Sequence, residues 1–475
     1  MDDRARRGVG WLALVSAATK GSQLVVTLVL AALFSASDLG VVALTLALIN
    51  TAMIVQSMGV TAVIGRTERD PDRMAGTVLT MTSLLALLLT AAGIGGAPVL
   101  ARALDAPAAA PLLATASIGL PFMAVAWVQL AVMSRSLDFH LRFLPDVGSA
   151  LAGAAVTIGL ALNGSGPMAV AVGFVVTAVA QPVLGVVVGV RVRPCWDADA
   201  AREAAHWIVS VGTGVIAATV VLNIDYPIVS RVLGPDALGV YSLAFRFAFL
   251  PYALLGTVFA SVAFALYANV IRDGRRGEAV SAQAHFTHLL LVTVGGMYVV
   301  IGQLADRIVL LGERWAPAIP ALILLCAFGV GRAVLTLWCQ MLMATGRLRW
   351  YAGFECGHLA LLAVSLLLFA RFGVVAVAFV QAVAVWTIVA GVWVALAREQ
   401  VAPAGRDLLR AVVGLAVPAG ACAALAAAVH QRFPSTVLGA VGEGAVLVCC
   451  FAAVAGATNR SLVVSLVRRP RAVRP

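Results

Sequence analysis

Apolar stretches of about twenty residues recur along the whole length of this 475-residue chain, and each is long enough to cross a ~30 Å hydrocarbon core. Fourteen can be placed, near 9–33, 40–61, 75–100, 110–133, 143–162, 167–190, 206–224, 238–262, 283–303, 317–344, 351–370, 372–396, 408–429 and 436–457. A soluble domain of this size would need far more polar surface than 12% charged residues supply. The expected fold class is therefore an all-α integral membrane protein of about 14 transmembrane helices. The first stretch is too long for a signal-peptide core and lacks a clear small-residue cleavage site.

The cations give the chain an orientation. With the N-terminus inside, the inner segments hold 24 of the 33 Lys and Arg residues, the outer loops hold 6, and three lie within spans. Arg4, Arg6 and Arg7 start the series, Arg66, Arg69 and Arg73 continue it, and the tail from Arg460 to Arg474 ends it. The alternation has no exception, which is the positive-inside pattern for an even number of spans with both termini cytoplasmic. Topology thus accounts for the net charge of +11. No nucleic-acid partner is expected, because the basic loops are short and carry no interleaved aromatics.

The seven cysteines form no disulfide framework and no metal-ligand spacing. Cys326, Cys339, Cys356, Cys422, Cys449 and Cys450 fall in spans and read as small core residues; Cys195 falls in an inner loop. No cofactor and no metal are expected. The stretch from Arg135 to Asp146 mixes Leu137, Phe139, Leu141 and Phe143 with charges, and reads equally as an interfacial helix or as an extension of the next span.

Weak echoes repeat in order at nearly constant offset. Leu39-Gly40-Val41 returns 199 residues later as Leu238-Gly239-Val240, and Leu44 returns as Leu243. Leu141-Arg142-Phe143 matches Leu348-Arg349-Trp350, Gly166 matches Gly373, and Trp127 and Gln129 match Trp338 and Gln340. These indicate a duplicated unit of about two hundred residues, as in transporters that bind substrate between their halves. The expected organisation is an N-terminal lobe over 1–192 (spans 1–6), a C-terminal lobe over 206–400 (spans 7–12), and two extra spans with a basic cytoplasmic tail over 401–475. The stretch 191–205, with Pro194, reads as the linker.

At these motifs the chain resembles a known family. The run from Asn223 through Asp225, Arg231, Gly234 and Gly239 to Tyr241, and the run Leu33-Phe34-Ser35-Ala36-Ser37-Asp38-Leu39-Gly40, look like a helix end, a turn and the next helix of the polysaccharide transporter family. That family belongs to the multidrug/oligosaccharidyl-lipid/polysaccharide exporter superfamily. The early Trp11 and the Arg-rich stretch before the fifth span also fit, while the single lysine, Lys20, departs from the family's usual composition. The resemblance implies two six-helix lobes around a central cavity that opens alternately to each side. It also implies a lipid-linked oligosaccharide as substrate, in a bacterial cytoplasmic membrane, with a polysaccharide polymerase and assembly proteins as further candidate partners.

Ionisable residues inside spans carry the candidate site, because a charge near the bilayer centre costs roughly 2.5–3.5 kcal/mol unless it faces a cavity or a partner. Lys20 lies eleven residues into span 1, about 16 Å deep at 1.5 Å per residue. Arg332 lies near the middle of span 10 and Arg246 about 12 Å into span 8. All three are candidates for an anionic headgroup, since Arg offers phosphate a planar fork and Lys a point charge. For each an alternative stands: a structural partner for Lys20, the backbone at Gly329–Gly331 for Arg332, and snorkelling for Arg246.

Glu355 and His358 share one helix face and are candidates for proton coupling; the alternative pairs Glu355 with Arg347 or Arg349 at the interface. Asp225, at the outer end of span 7, is either a gate residue near Arg231 or a plain helix-end anion. Gln56, Gln129, Gln340 and Gln381 could contact sugar hydroxyls or pack helices together. Pro121, Pro182, Pro251, Pro320 and the pair Gly329 and Gly331 mark places where spans can bend. The chain has no Walker-type phosphate loop, so ATP hydrolysis is not expected, and an ion gradient or product consumption would drive transport. An exporter of drugs or other metabolites would share the fold. A membrane glycosyltransferase or polymerase would show a long external loop, and none is present.

Overall fold

The computed structural model describes residues 3–57, 59–135 and 139–460. It is helical throughout its regular structure, with no strand among the described residues. Contacts divide it into two compact units, one comprising 1–243 with 359–374 and the other 244–358 with 375–475.

The first unit contains α1 (Asp3–Leu33), α2 (Ala36–Ser57), α3 (Val60–Arg66), α4 (Pro71–Ala103), α5 (Ala109–Ser117), α6 (Leu120–Arg135), α7 (Ser149–Leu162), α8 (Met168–Val187) and α9 (Ala198–Val220). The helix α10 (Asp225–Pro251) starts here and runs across the boundary between the units. The second unit continues with α11 (Thr257–Arg272), α12 (Arg276–Leu290), α13 (Gly296–Gln303) and α14 (Ala318–Ala344). After them come α15 (Leu348–Phe369), which belongs to the first unit from residue 359 on, α16 (Val374–Arg398), α17 (Gly405–Val429) and α18 (Val437–Thr458).

The apolar stretches of the sequence fall almost wholly in helix. Eleven helices among the described residues are long and apolar enough to cross a membrane, or up to twelve if α5 and α6 form one broken span. Those two meet at a 45° bend, and Pro121 follows directly at the start of α6, where a missing N–H costs nothing.

Local chemistry sets the helix ends. Before α2, Ser35 and Asp38 cap each other: the Ser35 backbone N–H donates to Asp38 Oδ2 at 3.2 Å and the Asp38 N–H to Ser35 Oγ at 3.1 Å. Asp70 accepts from the Asp72 N–H ahead of α4, and Asp197 accepts from the N–H groups of Asp199 and Ala200 ahead of α9. Gly234, at φ 84°, kinks α10, a conformation that glycine adopts at no steric cost. Pro251 ends the same helix and a π-helical segment, 252–256, joins it to α11. The expected bend at Gly329 and Gly331 is absent: α14 runs unbroken from Ala318 to Ala344. There the glycines make room instead, Gly329 for the Tyr298 ring and Gly331 for Val385 and Trp386. From residue 140 the chain runs as one apolar helical stretch to Leu162, which is the extension reading; Leu137 lies outside the described residues.

Small residues let backbones touch where lipid gives no hydrophobic drive. In the pair α7 and α8, a methyl group at Gly153 would meet Thr177 and one at Gly173 would meet Thr157, so each glycine receives the threonine of the other helix. The duplicated Leu-Gly-Val motifs also meet. Gly40 of α2 faces the Pro235 carbonyl and the Gly239 nitrogen, while Gly239 of α10 faces the Ala36 carbonyl. The stretch 191–205 is stitched to α4: Cys195 N donates to Gly76 O, Thr80 Oγ1 donates to Cys195 O, and Asp197 N donates to Thr77 Oγ1. Of the span cysteines, Cys326, Cys339 and Cys422 are buried as expected, but Cys356 and Cys449 are exposed on outer helix faces.

Candidate functional site

In the first unit the candidate polar residues are dispersed. Lys20 is half-buried on α1, and its ammonium donates to Gln23 Oε1, one turn on, at 3.3 Å. Gln56 is buried and its amide donates to the Leu120 carbonyl at 2.9 Å. Gln129 is buried and donates to Pro182 O and Val190 O, with Gly185 leaving space for its side chain. Both glutamines thus tie helices together through backbone carbonyls. Asp225, the first residue of α10, is fully buried and accepts from the Tyr241 hydroxyl. Tyr226 packs edge-on against Tyr241, 6.1 Å between ring centroids. The sequence left Asp225 as either a gate residue near Arg231 or a plain helix-end anion; the contact with Tyr241, across the Gly234 kink, was not legible.

The second unit concentrates charge. Arg332 of α14 and Glu355 of α15 form an ion pair, Nη1 to Oε2 at 3.1 Å and Nη1 to Oε1 at 3.4 Å. They are only 4% and 3% exposed. His358, one turn beyond Glu355, is fully buried, and neither ring nitrogen has a hydrogen-bond partner. Arg332 lies within electrostatic reach of His358, Cys339 and Tyr351. The structure therefore brings together three of the six charged or titratable candidates and removes Glu355 from the interface. Arg347, its expected partner, bonds Glu399 instead, at 2.9 Å. Arg246 is half-buried on α10 beside the stacked rings of Phe245 and Phe249. Gln381 is fully buried and Gln340 half-buried.

A second ion cluster, buried at Arg307 and Glu443 and partly exposed at His430 and Asp306, escaped the sequence reading. Arg307 donates to Glu443, whose other carboxylate oxygen sits 3.0 Å from His430 Nδ1, and His430 Nε2 lies 2.9 Å from Asp306. It ties the segment after α13 to α17 and α18. A signal existed, since Glu443 is the sole acid in the last apolar stretch, and a lone carboxylate in a span needs a cation. Among the described residues, no group of three His, Cys, Asp or Glu could hold a metal ion.

Membrane-spanning helices with buried ion pairs between them define an integral membrane protein of the transporter type. The family described as polysaccharide biosynthesis protein matches residues 29–320, and the chain belongs to it. It is similar to the succinoglycan biosynthesis transport protein ExoT of Rhizobium meliloti (strain 1021), 26% identical over 358 residues, covering 71% of this chain and 72% of the relative. It is also similar to the lipopolysaccharide biosynthesis protein WzxC of Escherichia coli (strain K12), 24% identical over 353 residues, covering 72% and 70%. In fold it resembles the lipid II flippase MurJ solved in an inward closed conformation, with a TM-score of 0.74 at 14% identity, covering 95% of this chain and 99% of that one.

Proposed function

We propose that this protein flips a polyprenyl-pyrophosphate-linked oligosaccharide, a building unit of an exported polysaccharide, across a bacterial cytoplasmic membrane by alternating access. The observation that carries the reading is the alignment with a succinoglycan transport protein over 72% of that relative's length. The lipid II flippase fold agrees with it. On this reading both termini are cytoplasmic, residues 1–192 and 206–400 form the two lobes, and 401–475 adds two spans and a basic tail. The chain acts as a transporter and makes or breaks no covalent bond.

Lys20 and Arg246 are the headgroup ligands in this scheme. Arg332 is the same residue type at a similar depth, but Glu355 neutralises it, so its contribution to anion binding requires the pair to open. His358 offers the route: a proton arriving at the ring places a second cation beside Arg332 and competes for the Glu355 carboxylate. The membrane-embedded glutamines Gln56 and Gln129 are already spent on carbonyls, which puts Gln340 ahead of them as a candidate for sugar hydroxyls. The lipid tail stays in the bilayer while the headgroup crosses. A polysaccharide polymerase and assembly proteins would take up the product.

The test is headgroup translocation of a polyprenyl-pyrophosphate saccharide in proteoliposomes. Lys20→Ala and Arg246→Ala should each slow it at least about tenfold, as expected for loss of a charge-assisted contact, with insertion unchanged. Full activity of the Lys20→Ala/Arg246→Ala double variant would overturn the assignment.

A further inference from the structure

A cleft of about 360 Å³ opens in the second unit among α12, α17 and α18, away from the ion pair described above. Leu409, Arg410, Val413 and Gly414 supply one wall, all from one face of α17, and His288, Thr458 and Asn459 supply the rest. Its floor is a built polar pair. Asn459 is 5% exposed, and its amide nitrogen donates to Gly414 O at 3.1 Å and to Ala455 O at 3.0 Å. Both amide hydrogens are thereby used, so the side-chain oxygen is the atom that meets His288 Nε2 at 2.7 Å, and that nitrogen is the donor. Gly414 creates the space. A methyl group there would lie 2.4 Å from Asn459 Oδ1 and 2.7 Å from His288 Nε2.

Charge and depth identify the occupant. Arg410 is 76% exposed at the wall, and its nearest acid, Asp407, is 3.9 Å away, too far for a good hydrogen bond. The guanidinium is thus open to a further anion. Arg410 is the sixth residue of α17, about 8 Å along the helix axis, which puts it in the headgroup layer that borders the hydrocarbon core. Leu409 and Val413, 64% and 45% exposed, stand on the same helix face. A cation and the Thr458 hydroxyl around a cleft, with apolar side chains leading from it into the bilayer, match a phosphate attached to acyl chains.

We propose that this cleft binds the headgroup of an anionic glycerophospholipid. Arg410 pairs with the phosphate, Thr458 donates to it, and Leu409 and Val413 pack on the first methylenes. The bound lipid fastens α17 and α18 to α12, so lipid composition sets how firmly the last two helices are held.

The experiment uses the full chain purified in a neutral detergent, with thermal unfolding followed as lipid is added. Phosphatidylglycerol should raise the unfolding temperature, while phosphatidylcholine and inorganic phosphate should not. Arg410→Glu should weaken the phosphatidylglycerol response at least about tenfold in lipid concentration. Arg406→Ala, which removes an 82% exposed arginine outside the cleft, should leave it intact. Thr458→Leu, which fills the mouth without changing charge, provides a second variant should Arg410→Glu fail to fold, and it too should blunt the response. Equal responses in Arg410→Glu and wild type, equal losses in Arg406→Ala, or the same shift with inorganic phosphate alone would each overturn the proposal. A stronger response to polyprenyl phosphate than to phosphatidylglycerol would also overturn it, by making the cleft a substrate site.

Discussion

The meeting of the duplicated motifs at Gly40 and Gly239 makes a quantitative prediction. A methyl group at Gly40 would lie 1.9 Å from the Pro235 carbonyl oxygen, and one at Gly239 would lie 1.8 Å from the Ala36 carbonyl oxygen. Both obstacles are backbone, so no side-chain rotation relieves them. Reaching ordinary van der Waals separation requires α2 and α10 to part by on the order of 1.5 Å. Overpacking of this kind costs about 1–3 kcal/mol, and backbone obstacles place it toward the upper end. Replacing glycine by alanine within a helix returns up to about 1 kcal/mol. Each of Gly40→Ala and Gly239→Ala should therefore lose about 1–2 kcal/mol net. Gly420→Ala, where nothing lies within 4 Å of the added carbon, should gain instead. The two contacts are reciprocal, so one separation relieves both, and the double variant should cost little more than either single one. Equilibrium unfolding of the purified protein in mixed micelles, titrated with sodium dodecyl sulfate, gives all four free energies. Gly40→Ala as stable as Gly420→Ala, or a double variant that costs the full sum, would refute the reciprocal packing.

Two further outcomes follow from the charges. Glu355→Gln leaves Arg332 buried without its counter-ion and should destabilise by about 3–5 kcal/mol, whereas replacing both by apolar residues (Arg332→Met with Glu355→Leu) should be neutral or better; the same titration decides. If the stable double variant also loses its response to an imposed pH gradient in proteoliposomes, the cluster couples transport to protons, and an unchanged response removes it from coupling. Outside the spans, the Asp197 carboxyl is held below its ordinary range chiefly by the Ala200 N–H, with Asp199 N–H, Arg69 and Arg73 adding to the effect. A carboxylate with a lowered folded-state pKa stabilises above its unfolded value and loses that contribution as pH falls through the folded one. The stability difference between wild type and Asp197→Ala should accordingly be full at neutral pH and start to fall below about pH 4, disappearing once the folded-state carboxyl is protonated; a difference that does not fall in acid would show that the cap does not act through its charge.

How much of this was legible depends on the range of the interaction. Apolar length is a property of a single segment, so each expected span appears as helix. Caps such as Ser35 with Asp38 are equally local. Pairings between helices are not local, and there residue order shows depth without direction. Arg332 reads correctly as a deeply placed cation, yet its partner lies 23 residues on. A signal was available: Arg332 and Glu355 lie on successive helices joined by the tight turn at Thr345–Arg347, so a cation and an acid stand on neighbouring apolar helices. Two opposite charges so placed are more economically paired with each other than left separately in a low-dielectric interior. That inference changes the chemistry of the site. Three isolated cations would make a permanently anion-loving interior. A neutral pair beside a fully buried imidazole, with Lys20 and Arg246 elsewhere, makes an interior whose charge can rise by one when a proton enters, a difference that, on the proposed function, serves both capture and release of an anionic headgroup.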